Sequence, residues 1–502
     1  MSTIIQASLW LTLSELFFNL SGYFTHAILG RTLGPAEYGR YGITITIATM
    51  IVVLIGRGVP VAMSKYLSEV IKTDPGEIAH IKKVGWQVQI ILIALTTLLY
   101  YFLAEPLAYL LNDISLAPLF KLSTLVIPAF AGASFYVYYF TGLHLFNVQS
   151  ALKFFRGISK IFFIVFLAFI FKTKGAILGH VLAPFSVFLL ALMFDQKNKR
   201  KINDLSRSNI QNKKEKKKRK KLTWKILLNF AWPITLFMIF YEIMITIDLY
   251  MVKGLLRNDS LTGYYNAALT LGRLPFYAFY FLTIILLPKI SETTSQKEQA
   301  KTNRIMSGAM RFLFILLIPS ITLLSIFAPS ALQLFYGSGY REAVPTLRIL
   351  SVGLGFLTIF YILAFVLNGA GKNKIPMWTA LVGMIVNIFL NYQLIPRWGI
   401  VGAGIATTTT SFLIMLIAII ATEKFVASFL KPISLVKYFL ATSVIAFLAL
   451  NLQQGEIIFI LWSVTMLTIY FIILWLLQEV TQEDLTFIQV LLKAKNKSRL
   501  KK

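Results

Sequence analysis

The chain is divided at KNKRKINDLSRSNIQNKKEKKKRKKLTWK (residues 197–225), a basic segment between two long apolar parts. The segment contains fourteen Lys or Arg residues and two acids, Asp204 and Glu215. It cannot cross a bilayer, because each Lys or Arg at the centre of a membrane helix costs about 2.5 to 3.5 kcal/mol. The segment must lie in water, and the apolar parts must be arranged around it.

Composition places the apolar parts in a membrane. Of the 502 residues, 57% are hydrophobic and 14% are charged, whereas about 25% are charged in a typical soluble domain. We therefore predict an all-α polytopic membrane protein. The net charge of +28 comes mostly from Lys and Arg between apolar segments, where such residues determine topology, so we expect no nucleic-acid partner. The absence of cysteine excludes disulfides and thiolate metal sites.

Fourteen apolar segments are long enough to span a membrane, which takes about 20 residues each. They lie near residues 8–29, 39–59, 84–104, 117–140, 151–171, 175–194, 225–251, 262–287, 305–327, 343–368, 376–396, 400–421, 435–452 and 456–477. We number them helices 1 to 14. The predicted organisation is a six-helix bundle (1–195), a basic cytoplasmic linker (196–224), a second six-helix bundle (225–422), helices 13 and 14 (423–478) and a basic cytoplasmic tail (479–502).

The loops alternate in charge. If the N-terminus is cytoplasmic, the inside loops and tail hold thirty-seven Lys and Arg residues and the outside loops hold ten, while Lys160 and Arg273 remain within helices. Because positive loops stay inside, we predict that both termini and the basic linker are cytoplasmic.

The two halves repeat each other at an offset of 224 residues. The matching pairs are Gly30 with Gly254, Gly39 with Gly263, Tyr41 with Tyr265, and Gly175 with Gly399. We infer two six-helix bundles with helices 13 and 14 appended. Six is an even number, so the bundles have the same orientation and are related by a pseudo-two-fold axis along the membrane normal. Transporters built this way bind substrate between the halves; the alternative is a channel, receptor or scaffold that retains an old duplication.

Cations within the predicted helices are candidates for a substrate site, because charge is costly there. Lys153, Arg156 and Lys160 lie on one face of helix 5, Arg57 ends helix 2, and Arg273 lies in helix 8. A cavity lined by such residues suits an anion. For Lys153, Arg156 and Arg57 the alternative is that the side chains reach lipid headgroups.

Polar residues in the same helices are candidates for lining the cavity or for coupling transport to an energy source. They are Glu15, Asn19 and His26 in helix 1, Asn266, Thr270 and Tyr277 in helix 8, and Asp248 in helix 7. The alternative for Glu15 is a structural ion pair, and for Asp248 it is solvation near the outer membrane surface. A straight helix 7 cannot direct both Glu242 and Asp248 into one cavity, since they are six residues apart.

Signals of enzymatic chemistry are absent from the sequence. The segment GAGKN (residues 369–373) lacks the earlier Gly and the Ser or Thr of a phosphate-binding loop. The four histidines have no metal-ligand spacing, and no nucleophile and base are arranged for catalysis. We expect no enzyme activity, catalytic residue, metal site or cofactor.

Several motifs resemble those of the polysaccharide and oligosaccharide flippases of the multidrug/oligosaccharidyl-lipid/polysaccharide exporter superfamily. The motifs are ILGRTLGPAEYGRYG (28–42), IDLYMVKG followed by GYYNAA (247–268), LLPKIS (286–291), FYGSGYREAVPTLRIL (335–350) and LNGAGKNKIPMWTALVGMIVNIFLNYQLIPRWGIVGAGIATT (367–408). The related lipid II flippases have an Arg shortly before a Pro in helix 8, as in Arg273 and Pro275. Their arginines in helix 1 are only partly matched, by Arg31.

The resemblance implies a flippase of the cytoplasmic membrane that moves a polyprenyl-(pyro)phosphate-linked oligosaccharide by alternating access, for cell-surface polysaccharide biosynthesis. The expected partners are the lipid-linked glycan, membrane lipids and other polysaccharide-assembly proteins. The alternatives are a lipid II flippase, a multidrug cation antiporter of the same superfamily, a passive scramblase and, in a different class, a membrane-embedded glycan-processing enzyme.

Overall fold

The computed structural model describes residues 2–71, 75–208, 236–429, 432–452 and 455–479. Within these ranges all regular structure is helical, which confirms the all-α prediction. The chain divides into two compact units, Met1–Ile243 (unit 1) and Met244–Lys502 (unit 2).

Unit 1 consists of long helices joined by short turns. They are α1 (Ser2–Val70), α2 (Ile78–Leu110), α3 (Ala117–Ser123), α4 (Val126–Gly142) and α5 (Phe146–Ser208), with 3₁₀ turns at Pro75–Glu77 and Ile114–Leu116. A further helical stretch covers residues 236–244. The start of the basic segment, residues 197–208, continues α5, and residues 209–225 lie outside the described ranges.

Unit 2 has shorter helices at its beginning and longer ones after them. They are α6 (Ile247–Leu256), α7 (Asp259–Gly272), α8 (Leu274–Phe279), α9 (Phe281–Ser295), α10 (Gln299–Ile326), α11 (Ala328–Tyr336), α12 (Val344–Gly369), α13 (Lys374–Phe425), α14 (Pro432–Leu450) and α15 (Ile458–Leu476), with a 3₁₀ turn at Ser338–Ala343.

Three of the helices each contain two predicted spans, separated by a backbone break. The breaks fall at Gly34 in α1 (φ 72°), Lys172 in α5 (φ 50°) and Gly399 in α13 (φ 57°). Positive φ values are disfavoured for residues with a side chain, and a helix with such a residue must change direction. Each break therefore lies where the sequence predicts a loop between two spans.

Among the described residues, eight helices are long and apolar enough to cross a membrane, or nine if Asp259–Phe279 and Phe281–Ser295, bent by 40°, form one span. This agrees with a polytopic membrane protein. The count of fourteen stays a prediction, because α1, α5 and α13 each run through two predicted spans and residues 225–235 of the predicted helix 7 lie outside the described residues.

One predicted repeat pair is wrong. The break residues Lys172 and Gly399 have nearly the same conformation (φ 50°, ψ −132° and φ 57°, ψ −138°), so Gly399 is equivalent to Lys172. Gly175 is equivalent to Gly402, since a Cβ on either would lie within 2.2 Å of the carbonyl oxygen eight residues earlier. The offset in this region is 227, so the second half has three more residues than the first between Tyr265 and Gly399.

The first span of α1 packs closely against α5. A Cβ added to Gly157 of α5 would lie 2.7 Å from the Phe17 ring of α1, so only glycine permits this separation. The close contact places the predicted polar face of helix 1 directly against the predicted cationic face of helix 5.

Candidate functional site: two polar junctions

The cations of α5 meet the first span of α1 in what we call the cationic junction, formed by Glu15, Phe18, Gly22, Lys153, Arg156 and Lys160. Lys153 forms an ion pair with Glu15, as the structural alternative for Glu15 proposes. The Arg156 guanidinium lies 4.7 Å from the Phe18 ring centre and 3.9 Å from that of Phe130. Aromatic faces attract cations without neutralising their charge, so Arg156 keeps its positive charge beside these rings.

Lys160 lies at the next turn of α5. Its Nζ is 5.5 Å from the Phe18 ring centre and 3.1 Å from the position that a Cβ on Gly22 would occupy. Within the described residues Lys160 forms no ion pair. The two cationic side chains therefore lie on one helix face, against a glycine and aromatic rings.

Two histidines and two tyrosines extend the cationic junction. The Nδ1 atom of His26 lies 2.9 Å from the Tyr38 hydroxyl, and the Tyr41 hydroxyl lies 2.6 Å from Nε2 of His180. The rings of Tyr38 and Tyr41 stack at 6.1 Å. His180 and the tyrosines were not among the predicted site residues; the match of Tyr41 with Tyr265 was the signal for one of them.

The other predicted residues of unit 1 lie in different environments. Asn19 is half-buried and Arg31 is exposed, three residues before the break at Gly34. The side chain of Arg57 lies outside the described residues. The structure therefore brings together Glu15, Arg156 and Lys160, and adds His26 through its contact with Tyr38.

Unit 2 contains an acidic junction, formed by Asp248, Tyr265, Asn387, Asn391 and Thr407. Asp248 is fully buried. Its carboxylate accepts hydrogen bonds from the Tyr265 hydroxyl, from Thr407 Oγ1 at 2.9 Å and from the backbone N–H of Leu249 at 2.8 Å. The alternative that Asp248 is solvated is wrong, because α7 and α13 cover it.

Two asparagines of α13 complete the acidic junction. Nδ2 of Asn391 donates to Oδ1 of Asn387 at 2.9 Å, and Nδ2 of Asn387 lies 3.4 Å from Thr407 Oγ1. A cavity of about 10 Å³ beside them is also lined by Thr410 and Ser411, which is space for about one water molecule. The described residues contain no group of three or more His, Cys, Asp or Glu side chains that could hold a metal ion.

Arg273 connects two breaks in the helices. It lies between α7 and α8, and its Nη2 donates to the carbonyl oxygen of Ile245 at 2.7 Å. Ile245 and Thr246 form the turn between residues 236–244 and α6, so the helix is not straight. Since helix ends leave carbonyl groups without intrahelical partners, Arg273 stabilises this break in addition to any contact with substrate.

The remaining candidates of predicted helix 8 differ in exposure. Asn266 is buried, and its Nδ2 has no hydrogen-bond partner among the described residues. Thr270 donates back to the Asn266 carbonyl at 2.8 Å, and Tyr277 is exposed. These three side chains therefore do not share one environment.

The two junctions occupy equivalent positions in the repeat. Tyr41 and Tyr265 differ by 224 residues, while His180 and Thr407, and also Lys160 and Asn387, differ by 227. In unit 1 the Tyr41 hydroxyl bonds directly to His180 after the break in α5, whereas in unit 2 Tyr265 and Thr407 both donate to Asp248. Thr407, which shares Asp248 with Tyr265, was missed because the residue type at this position differs between the halves.

Comparisons with known proteins agree on one fold. A family model described as "Polysaccharide biosynthesis protein" matches residues 4–294, and the MatE model matches residues 233–393. Stage V sporulation protein B of Bacillus subtilis is 25% identical over 83% of this chain and 82% of its own. The probable low-salt glycan biosynthesis flippase Agl15 of Haloferax volcanii is 23% identical over 31% of this chain and 33% of its own.

Solved structures extend the likeness to nearly the whole chain. The lipid II flippase MurJ in an inward closed conformation superposes with a TM-score of 0.72 at 16% identity, covering 93% of this chain and 98% of that one. At this identity the likeness concerns the fold.

Proposed function

The chain belongs to the polysaccharide biosynthesis protein family, within the multidrug/oligosaccharidyl-lipid/polysaccharide exporter superfamily, and from that premise we propose that it flips a polyprenyl-(pyro)phosphate-linked oligosaccharide by alternating access. Membership confirms the resemblance seen in the motifs. Like its relatives and structural neighbours, the protein is a multi-pass membrane transporter or flippase. It is not an enzyme. The proposed role is cell-surface polysaccharide biosynthesis, with other assembly proteins as partners.

The cationic junction is the observation that carries the proposal. A pyrophosphate carries several anionic oxygens, and charge-assisted hydrogen bonds from Arg and Lys are the strong interactions available to it. Arg156 and Lys160 supply such donors on one face of α5, where stacking on Phe18 and Phe130 orients the guanidinium. In this proposal they bind the phosphate groups while the lipid remains in the bilayer.

Asp248 is the proposed coupling residue. A carboxylate that is fully buried is costly unless it binds a cation or a proton. The hydroxyls of Tyr265 and Thr407 and the amides of Asn387 and Asn391 provide exchangeable hydrogen bonds around it. Cation or proton binding in unit 2 would then supply energy for moving an anion held in unit 1.

The direct test uses the purified full chain in liposomes that contain a polyprenyl-pyrophosphate oligosaccharide. Flipping is measured as the fraction of glycan that a membrane-impermeant oxidant reaches with time. Arg156→Ala should lower the initial rate about 10- to 100-fold, since hydrogen bonds to charged groups contribute about 1.5 to 3 kcal/mol. The control is Lys174→Ala, which removes an exposed cation from the same helix. Equal rates for Arg156→Ala and wild type would refute the proposed site.

Arg273 has a separate test in cells. We expect Arg273→Ala to abolish export of the lipid-linked glycan while the protein persists in the membrane, because the variant loses both a cation and the bond to Ile245. Arg348→Ala, which removes an exposed Arg of unit 2, should export normally. Full export by Arg273→Ala would show that neither role is needed.

The buried carboxylate also favours one competitor, a multidrug cation antiporter, since an acid suits cationic drugs. The same liposomes discriminate the candidates: ethidium efflux without glycan flipping supports the antiporter, and flipping of lipid II in preference to other glycan lipids supports a peptidoglycan precursor. The proposed location is the cytoplasmic membrane with both termini inside, and labelling of the basic linker only from outside cells would contradict it.

A further inference from the structure

A polar cavity at one end of unit 2 has no part in the transport proposal. Its volume is about 230 Å³, and it is lined from three connections: the turn between α9 and α10, the turn between α12 and α13, and the C-terminal end of α13. The lining includes Thr294, Lys297 and Gln299 from the first of these, Ala370 from the second and Phe425 from the third. The charge pattern of the loops predicts that this end is cytoplasmic.

Side-chain hydrogen bonds fix the walls of the cavity. Nε2 of Gln299 donates to the carbonyl oxygen of Val426 at 2.7 Å and so joins the start of α10 to the end of α13. Thr302 Oγ1 donates to Thr293 Oγ1 at 2.8 Å and joins α10 to α9. The cavity is therefore built by the packing of three helix ends and does not depend on one loop.

One lysine lines the cavity, and two more lie beside Phe425 in its wall. Lys297 lines it, and the Nζ atoms of Lys372 and Lys424 lie 5.7 and 5.4 Å from the ring centre of Phe425, which is part of the wall. Within the described residues none of the three forms an ion pair. Glu298 also lines the cavity, but its carboxylate pairs with Lys301 at 2.8 Å, so the local charge is positive.

The backbone holds Lys297 at the cavity in a conformation that favours glycine. Lys297 has φ 58°, and the turn closes with a hydrogen bond from the N–H of Glu298 to the carbonyl of Thr293 at 2.9 Å. At the end of α12 the same position is taken by Gly371, with φ 75°. Glycine is the usual residue at such helix ends, and a strained residue with a side chain is a reason to look for function.

We propose that this cavity is a binding site for a phosphate monoester. Lysine ammonium groups bind phosphate as point charges; Lys297 lies in the lining, and Lys372 and Lys424 flank Phe425 in the wall, where they add positive charge. The volume is below the range of about 300 to 1,000 Å³ that holds whole drug-sized ligands, so it fits a headgroup and not a sugar nucleotide. The group could belong to a soluble phosphate ester or to an anionic lipid such as phosphatidic acid, and the two share this chemistry.

The test uses the purified full chain in neutral detergent and two probes. Glycerol 3-phosphate is titrated by calorimetry, and phosphatidic acid is titrated by fluorescence in phosphatidylcholine nanodiscs. The triple variant Lys297→Gln/Lys372→Gln/Lys424→Gln should weaken binding at least about tenfold, since each lost charge-assisted bond is worth about a factor of ten or more. Lys65→Gln/Lys83→Gln, which removes two lysines from the same predicted membrane face of unit 1, should bind as wild type does.

Each outcome decides a separate point. If both probes bind, the cavity accepts a phosphate monoester from a soluble molecule or from a lipid headgroup. If phosphatidic acid alone binds, the ligand is a lipid. Lys297→Arg, which keeps the charge, should retain binding and excludes loss of folding as the cause; thermal unfolding of each variant gives the same check. The proposal is overturned if neither probe binds saturably, or if the triple variant binds as tightly as wild type. Neither result affects the transport proposal, which depends on the cationic and acidic junctions and on Arg273.

Discussion

The cationic junction of unit 1 and the acidic junction of unit 2 use the same framework with opposite charge. In unit 1 the Tyr41 hydroxyl bonds to His180 after the break in α5, and in unit 2 the Tyr265 hydroxyl donates to Asp248 of α6, which also accepts from Thr407 of α13. In unit 1 the surrounding groups are Lys160, His26 and His180, whereas in unit 2 the centre is the carboxylate of Asp248. Equivalent positions of the repeat thus carry hydrogen-bonded tyrosines in both units, while the charge of the residues around them is opposite.

This difference suggests a division of labour between the halves. An anionic substrate group is stabilised by cations with donors, and a buried carboxylate is stabilised by a bound cation or proton. Two equivalent positions with opposite chemistry allow one protein to bind both kinds of ligand, which a pair of identical junctions would not.

The largest effect is expected from a substitution that makes the cationic junction more like the acidic junction. Lys160→Asn places in unit 1 the residue type found at the equivalent Asn387, and removes a cation. We expect glycan flipping to fall about 10- to 100-fold, since charge-assisted hydrogen bonds are worth about 1.5 to 3 kcal/mol, with Lys160→Arg retaining most activity. Lys174→Asn, an exposed site on α5, is the control. Unchanged flipping by Lys160→Asn would mean that the charge difference between the junctions has no role in transport.

The next largest effect on flipping is expected from Asp248, the buried acid of unit 2. Asp248→Asn keeps the size of the side chain and can still accept from Tyr265 and Thr407, but it carries no charge. We expect flipping to fall about tenfold, in line with the loss of one charge-assisted interaction, and to become insensitive to an imposed ion gradient. Asp259→Asn, at the ion pair with Lys253, is the matched control. A variant that still responds to the gradient would exclude Asp248 as the coupling residue.

The sequence was sufficient to predict the helical architecture, because apolar length and loop charge are local properties. It also placed Glu15, Arg156 and Lys160 on faces that do meet, since i, i+3 and i, i+4 spacing defines a helix face. The prediction for Gly175 failed because three residues were gained between the repeat positions, and only the break geometry at Lys172 and Gly399 reveals the shift.

The acidic junction was not predictable in the same way. Asp248 binds Thr407, which is 159 residues away in the chain, and no local pattern joins the two. The sequence left solvation of Asp248 open as an alternative, because distance from a predicted helix end gives no information on which neighbouring helix covers the side chain. For Arg273 the charge within a predicted helix suggested a cavity, whereas the bond to Ile245 depends on a helix break that helix propensity does not show.

A smaller effect is expected from removing the hydroxyl of either tyrosine, and the two losses of stability compare the junctions directly. Tyr265→Phe removes a donor to a carboxylate, which costs about 1.5 to 3 kcal/mol of stability, and Tyr41→Phe removes a bond to an imidazole, which costs about 1 kcal/mol. The thermal unfolding midpoint of purified protein should therefore fall further for Tyr265→Phe. Both hydroxyls are buried within their own unit, so exposure does not bias the comparison. Equal shifts would indicate that Asp248 is protonated in the resting protein.

The smallest effect is expected for the ion pair at the edge of the cationic junction. The Lys153 and Glu15 side chains are 27% and 40% exposed, and solvent-exposed pairs contribute about 0 to 1 kcal/mol. Lys153→Gln/Glu15→Gln should therefore leave both the unfolding midpoint and the flipping rate within a few-fold of wild type, in contrast to Lys160→Asn two turns further along α5. A large loss of flipping in the double variant, with unchanged stability, would extend the substrate site along α5 to Lys153 and remove the distinction between a structural edge and a binding centre in this junction.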